Sequence, residues 1–184
     1  MSKAVMLSIR PKWVEKIASG EKTIEVRKTR PKMNTPFKCY IYCTLPKYPH
    51  EDFIATDYPR PQFYGGGKVI GEFVCDCITP LYNVCMDDWK RLSGGLHNIE
   101  KELVNQACLT EAKLHTYAGG KNCFAWHISD LLIYDQPREL SEFRRATDPC
   151  DSCHAEYTWE CTGCKKLSGD IKRPPQSWCY VEEG

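Results

Sequence analysis

The chain has no long apolar run: nothing in it approaches the ~20 consecutive apolar residues of a membrane span. Its first residues, Met1-Ser2-Lys3-Ala4-Val5-Met6-Leu7, are too short an apolar stretch for a secretory leader and pass straight into a strand pattern, so a cytoplasmic location is expected. Net charge is nearly absent as well. Lys and Arg number 25 against 24 Asp and Glu, which leaves +1 and no global field drawing the protein to a polyanion or a membrane surface. No apolar stripe suited to a protein partner stands out. Cysteine, by contrast, is plentiful, at twelve in 184 residues. In a reducing compartment that number points to metal ligands or buried thiols rather than disulfides.

The charge that is present is locally uneven. Lys22, Arg27, Lys28, Arg30, Lys32 and Lys38 face a single acid, Glu25, across one short stretch. Within it lies Gly20-Glu21-Lys22-Thr23-Ile24-Glu25-Val26-Arg27, or G-x-K-x-x-E-x-R. Alternation along a strand puts Ile24 and Val26 on one face and Thr23, Glu25 and Arg27 on the other. The first face suits a core. The second holds an acid and a base roughly 6–7 Å apart, at about 3.3 Å per residue, with Lys22 at the turn beside them. Such a face suits a cleft with cations for phosphate and a carboxylate that accepts hydrogen bonds or a proton. It equally suits a solvated strand face with an ordinary ion pair.

The pattern along the chain predicts a strand over 4–10, then a helix opened by Pro11 with Trp13, Val14, Ile17 and Ala18 on one side and Gly20 as its left-handed cap. Strands are expected at 23–28, 38–44, 68–78 and 123–134. A proline- and tyrosine-rich connection spans 45–67, with Tyr58, Phe63 and Tyr64 available for base stacking or plain loop packing. Helical stretches are expected at 87–92 and 98–118, the second breaking near Leu109 because Thr110-Glu111 reads as a fresh helix start. The fold class is therefore α+β: a small mixed β-barrel with a helical insertion. Composition shifts after Pro137, so 1–144 is expected as the main domain and 145–184 as a cysteine-rich extension.

In that extension Cys150-x-x-Cys153 and Cys161-x-x-Cys164 form two C-x-x-C turns seven residues apart, with Cys179 beyond a fourteen-residue spacer. Two such turns supply the four thiolates of a closed structural Zn2+ site, with Cys179 as a possible substitute for one of them. The segment is too polar to fold by apolar burial, and metal binding would supply on the order of 10 kcal/mol. The competing reading is a reduced tail whose thiols do nothing. Cys39, Cys43, Cys75, Cys77, Cys85, Cys108 and Cys123 are expected to fill the core, and His127 to be packed and hydrogen-bonded in its strand.

The signature octapeptide, preceded by Leu7-Ser8-Ile9-Arg10-Pro11, resembles the ASCH domain, a branch of the PUA-like β-barrel superfamily. Gly71-Glu72-Phe73 and Phe124-Ala125-Trp126-His127-Ile128-Ser129-Asp130-Leu131 are similar to later strands of that family. The likeness covers roughly residues 4 to 140 and is nearest to small bacterial and phage ASCH proteins. It implies a cleft that binds RNA or a nucleotide-like ligand through Ser8, Arg10, Gly20, Lys22, Glu25 and Arg27. On that reading Lys22→Ala lowers affinity without lowering stability.

The resemblance carries an enzymatic alternative. An acetylcytidine amidohydrolase subgroup reads K-T-I-T-I-R with a threonine nucleophile, and ribonuclease activity is attributed to another subgroup. This chain reads Lys22-Thr23-Ile24-Glu25-Val26-Arg27, with glutamate in place of that threonine. Were the protein a hydrolase of RNA or a modified nucleoside, Glu25 would be a general base for water and Lys22 would stabilise an oxyanion. A third reading is a protein-interaction factor of phage or mobile-element origin, docking through the extension.

Overall fold

A computed structural model of the chain describes residues 3–45, 53–54, 63–81, 98–146 and 169–182. Strand β1 (Lys3–Ile9) is apolar on both faces: Val5, Leu7 and Ile9 enter one core cluster while Ala4 and Met6 enter another. Helix α1 (Pro11–Ala18) starts with Pro11 in its first turn, where a missing N–H costs nothing, and buries Val14 and Ile17 beside β1. It ends as Ser19 N–H returns to Glu15, and Gly20 follows at a φ of 76°, a conformation that disfavours any Cβ. This turn delivers β2 (Ile24–Arg27), whose four residues are all buried.

Next come β3 (Phe37–Cys43), the short pair β4 (Phe53–Ile54) and β5 (Phe63–Tyr64), and then β6 (Val69–Cys75) and β7 (Ile78–Leu81). The strand expected at 68–78 thus turns over at Asp76-Cys77 into two. Helices α2 (Asn98–Gln106) and α3 (Glu111–Ala118) break where the sequence suggested. Cys108 sits at a φ of 55°, and the Thr110 side chain accepts from the Lys113 N–H at 3.3 Å. Strands β8 (Cys123–His127) and β9 (Ser129–Arg138) replace the single strand expected at 123–134. Asp130, at a φ of 47°, marks the bend, and the two halves join different sheets. A short 3-10 turn then leads to β10 (Arg144–Arg145), β11 (Gly169–Asp170) and β12 (Trp178–Glu182). The helix expected at 87–92 lies outside the described residues.

The molecule is mixed α/β, mostly strands with few helices. Seven strands form one sheet in the order β11-β10-β12-β1-β3-β6-β9, and β2-β8-β7 form a second. Among the described residues these are two separate ladders linked by the β8–β9 bend, not one closed barrel ladder. Trp126, fully buried, meets Phe37 edge to face at 5.8 Å in the cluster that also holds Leu7, Ile41 and Phe73. The other face of β2 packs Ile24 and Val26 on Leu103, Val104, Leu114 and Ala118 of α2 and α3. Burying each such Val, Leu or Ile stabilises the fold by about 1.5–3 kcal/mol. This fixes which way β2 faces.

The division expected at residue 144/145 does not separate the C-terminus from the main sheet. β12 pairs antiparallel with β1 from Lys3↔Glu182 to Leu7↔Trp178, and Val181 is fully buried. The physical reason is that β1 is hydrogen-bonded to β3 on one edge only, and its other edge needs a partner for its buried N–H and C=O groups. The Trp-Cys-Tyr-Val-Glu run is β-prone enough to supply one. No helix among the described residues is long and apolar enough to cross a membrane.

Candidate ligand cleft

The end of β1, the start of α1, β2, α3 and the segment before β12 enclose a cleft of about 960 Å³. Its floor is the polar face of β2. The expected alternation holds: Glu25 and Arg27 point into the cleft while Ile24 and Val26 point to the helices.

The floor is an ion triad closed on itself. Glu25 Oε2 lies 3.2 Å from Lys22 Nζ, and Glu25 Oε1 lies 3.1 Å from Arg27 Nη2. Lys22 is only 3% exposed, and its ammonium also donates to the carbonyls of Ile24 and Ala107. Three acceptors match its three N–H groups, and the Trp13 ring lies 5.4 Å away. Lys22 thus ties β2 to the end of α2, with no N–H left to reach a phosphate. Arg27 donates from Nη2 to the Ser8 carbonyl at 2.9 Å and from Nη1 to the Ser177 carbonyl at 3.2 Å. Its Nε is buried without a partner.

Ser8 is turned to the C-terminal segment rather than to open space. Its hydroxyl donates to the Pro175 carbonyl at 2.6 Å, and its N–H to the Ser177 carbonyl at 3.0 Å. The Trp178 indole N–H donates to Thr29 Oγ1 at 2.9 Å just beyond. Gly20 does not line the cleft; its part is the turn that positions Lys22. Arg10 does line it, exposed at the mouth.

Sequence reasoning missed most of the rim. Lys12 and Trp13 face the cleft from α1, and Lys113 and Tyr117 from α3, with Lys28 between. Lys12 lies 5.0 Å from the centre of the Trp13 ring and Lys28 5.3 Å from that of Tyr117. Burial pushes the Tyr117 hydroxyl above its ordinary pKa, so it is a neutral donor near pH 7. The basic stretch from Lys22 to Lys38 also separates in space. Lys28 reaches the rim, Arg30 covers the Phe124 ring, and Lys38 pairs with Glu72 at 3.2 Å.

Cys39, Cys43, Cys75 and Cys123 are buried, as expected of core thiols. Burial raises the thiol pKa of Cys39 and Cys123, and takes Cys75 to about 12. Cys77 departs from that expectation: it lies exposed at the turn between β6 and β7. Cys108 is half-buried, and Cys85 falls outside the described residues. His127 accepts or donates a 3.0 Å hydrogen bond with Thr79 through Nε2, the structural role expected of it. Cys179 sits opposite Met6 in β12, packed on the cluster around Ala4 and Tyr40, with its thiol pKa raised by burial. Cys150, Cys153, Cys161 and Cys164 lie outside the described residues, as does Tyr58. Phe63 and Tyr64 are described only as the strand β5. Among the described residues no group of three or more His, Cys, Asp or Glu is placed to hold a metal ion.

The motif that lines this floor lies within residues 7–94, the stretch that matches the ASCH domain model. Solved structures of the ASCH protein of Zymomonas mobilis share the architecture. One superposes at a TM-score of 0.54 with 19% identity, covering 98% of this chain and 88% of that one. Two point mutants of the same protein give TM-scores of 0.56 and 0.55 at 18% identity, covering 99% and 98% of this chain and 92% and 89% of theirs. At such identity the likeness concerns the fold. No curated protein matches the chain. The matched ASCH residues end before β8, β9 and β12, yet those strands complete its two sheets.

Proposed function

We propose that the ASCH cleft binds RNA, or a nucleotide-like ligand, by its phosphates. The observation that carries this is the charge left over at the rim once the floor is paired. Arg10, Lys12, Lys28 and Lys113 line the cleft, and Glu25, the one acid lining it among the described residues, is already held by Lys22 and Arg27. Exposed cations on both walls suit a chain of phosphates, and the rings of Trp13 and Tyr117 offer apolar faces between them. Lys22, Glu25 and Arg27 then shape the site rather than touch phosphate.

Hydrolysis by Glu25 and Lys22 is the lesser reading. Each oxygen of Glu25 already accepts from a cation, and Lys22 has no donor free for an oxyanion. We also retain structural zinc on Cys150, Cys153, Cys161 and Cys164. Its support is the C-x-x-C spacing, together with the pairing of Arg145 with Gly169, which brings the two ends of that segment to neighbouring strands.

The test is fluorescence anisotropy of short labelled single-stranded RNA at about 50 and about 200 mM salt. The native chain should bind, and weaken linearly in log salt. Lys28→Ala and Lys113→Ala should each weaken binding to all sequences and lower the salt slope by about 1. No binding at the lower salt overturns the proposal, and shortened RNA products would restore the hydrolase reading.

A further inference from the structure

We infer that Gln176 is a specificity-determining residue of this cleft, pairing with the adjacent N6 donor and N7 acceptor of adenine. The inference rests on the proposed nucleic-acid reading and adds what selects among ligands. The rim cations answer to phosphate, which every nucleotide carries, and on the floor the Lys22 donors and both Glu25 oxygens are already engaged. Base selectivity therefore has to come from another group.

The segment Pro174–Ser177 forms one wall, and its backbone is anchored on both sides of Gln176. On one side the buried Pro175 offers its carbonyl to the Ser8 hydroxyl at 2.6 Å. On the other the Ser177 carbonyl accepts from Ser8 N–H at 3.0 Å and from Arg27 at 3.2 Å. The bond to Ser8 N–H continues the β1–β12 ladder one step past Leu7↔Trp178, so this wall cannot shift without opening the sheet. Trp178, bonded to Thr29 and with its ring tilted at 57° and centred 6.1 Å from that of Trp126, holds the far end.

Between these anchors Gln176 lines the cleft and is exposed. A carboxamide offers two donors and an acceptor, the pattern that pairs in bidentate fashion with the adjacent donor and acceptor of a base such as adenine. Because the backbone beneath it is anchored, only the Gln176 side chain itself is left to be ordered by that pairing. Tyr117 and Trp13 supply faces for the same base to stack on.

The experiment measures binding of the full chain to four labelled homopolymeric oligoribonucleotides, of A, C, G and U, for the native protein, Gln176→Ala and Gln176→Glu. The native chain should prefer the A oligomer by about tenfold or more, and a native preference for another base overturns the inference. Gln176→Ala should erase that preference with the salt slope and the urea midpoint unchanged, and Gln176→Glu, which exchanges donors for acceptors, should shift it to another base. A native preference that survives in Gln176→Ala overturns the inference and leaves the nucleic-acid reading standing. Equal native binding to all four does the same. No native binding to any of them sinks both.

Discussion

Lys22 is the residue at which sequence and structure ask for opposite experiments. As a phosphate ligand it would be dispensable for stability; as a buried tether it is not. Lys22→Ala removes three interactions together. The Ile24 and Ala107 carbonyls lose their donor, and Glu25, 8% exposed, keeps only Arg27. Breaking a buried ion pair by removing one partner costs about 3–5 kcal/mol, because the remaining charge is left uncompensated. Stranded buried carbonyls push the same way. With a urea m-value of about 1–3 kcal/mol/M, the midpoint should fall by roughly 1–5 M. Lys22→Met keeps most of the side-chain length, so it separates charge from packing and should lose nearly as much. Adding Glu25→Gln to Lys22→Met should recover part of the loss, since the orphaned charge disappears. Urea unfolding followed by tryptophan fluorescence reads all three variants. A midpoint for Lys22→Ala within about 0.3 M of the native value would refute the tether, since that is below 1 kcal/mol at the stated slope.

The remaining predictions concern the sheet, the thiols and the metal. Gly71→Ala should destabilise by about 1–3 kcal/mol in the same urea assay, because the new Cβ would overlap the Leu132 backbone oxygen of β9 and neither strand can yield cheaply. Cys75 holds its proton more tightly folded than unfolded. Below pH 9 the thiol is protonated in both states; between pH 9 and about 12 only the unfolded chain releases it, so stability should fall as pH rises through that window. A urea midpoint for Cys75→Ala with the same alkaline slope as native would remove that assignment. Among the described cysteines, Cys77 should be alkylated first at pH 8 and Cys39 last, as peptide mass mapping would read; the reverse order would contradict their burial. Metal analysis of the purified chain should find about one zinc, lost in Cys150→Ser/Cys161→Ser; a metal-free native protein ends the zinc proposal.

Local pattern was enough for much of this architecture. Two-residue alternation decided which side of β2 met the core, Thr110 placed the break between the helices, and His127 was legible as a packed strand residue. Each of these rests on neighbours a few positions away, which is the range over which periodicity and capping act. The cleft rests on partners far apart in the chain. Ser8 meets Pro175 across 167 positions, Arg27 meets Ser177 across 150, and Lys22 meets Ala107 across 85. No local signal announces such pairs, and they decide which charges of the signature are consumed inside the protein. Composition carried no signal of where the end of the chain pairs. Cysteine density suggested an appendage, whereas an open edge on β1 drew β12 into the main sheet and its leading segment into the wall of the cleft. The sequence by itself determined where most of the core strands begin, which face of β2 is apolar, and the signature motif. Only the tertiary structure could turn Lys22 and Arg27 inward, leave Lys28 and Lys113 at the rim, and bring Gln176 beside them, because burial and unpaired edges belong to the folded chain as a whole.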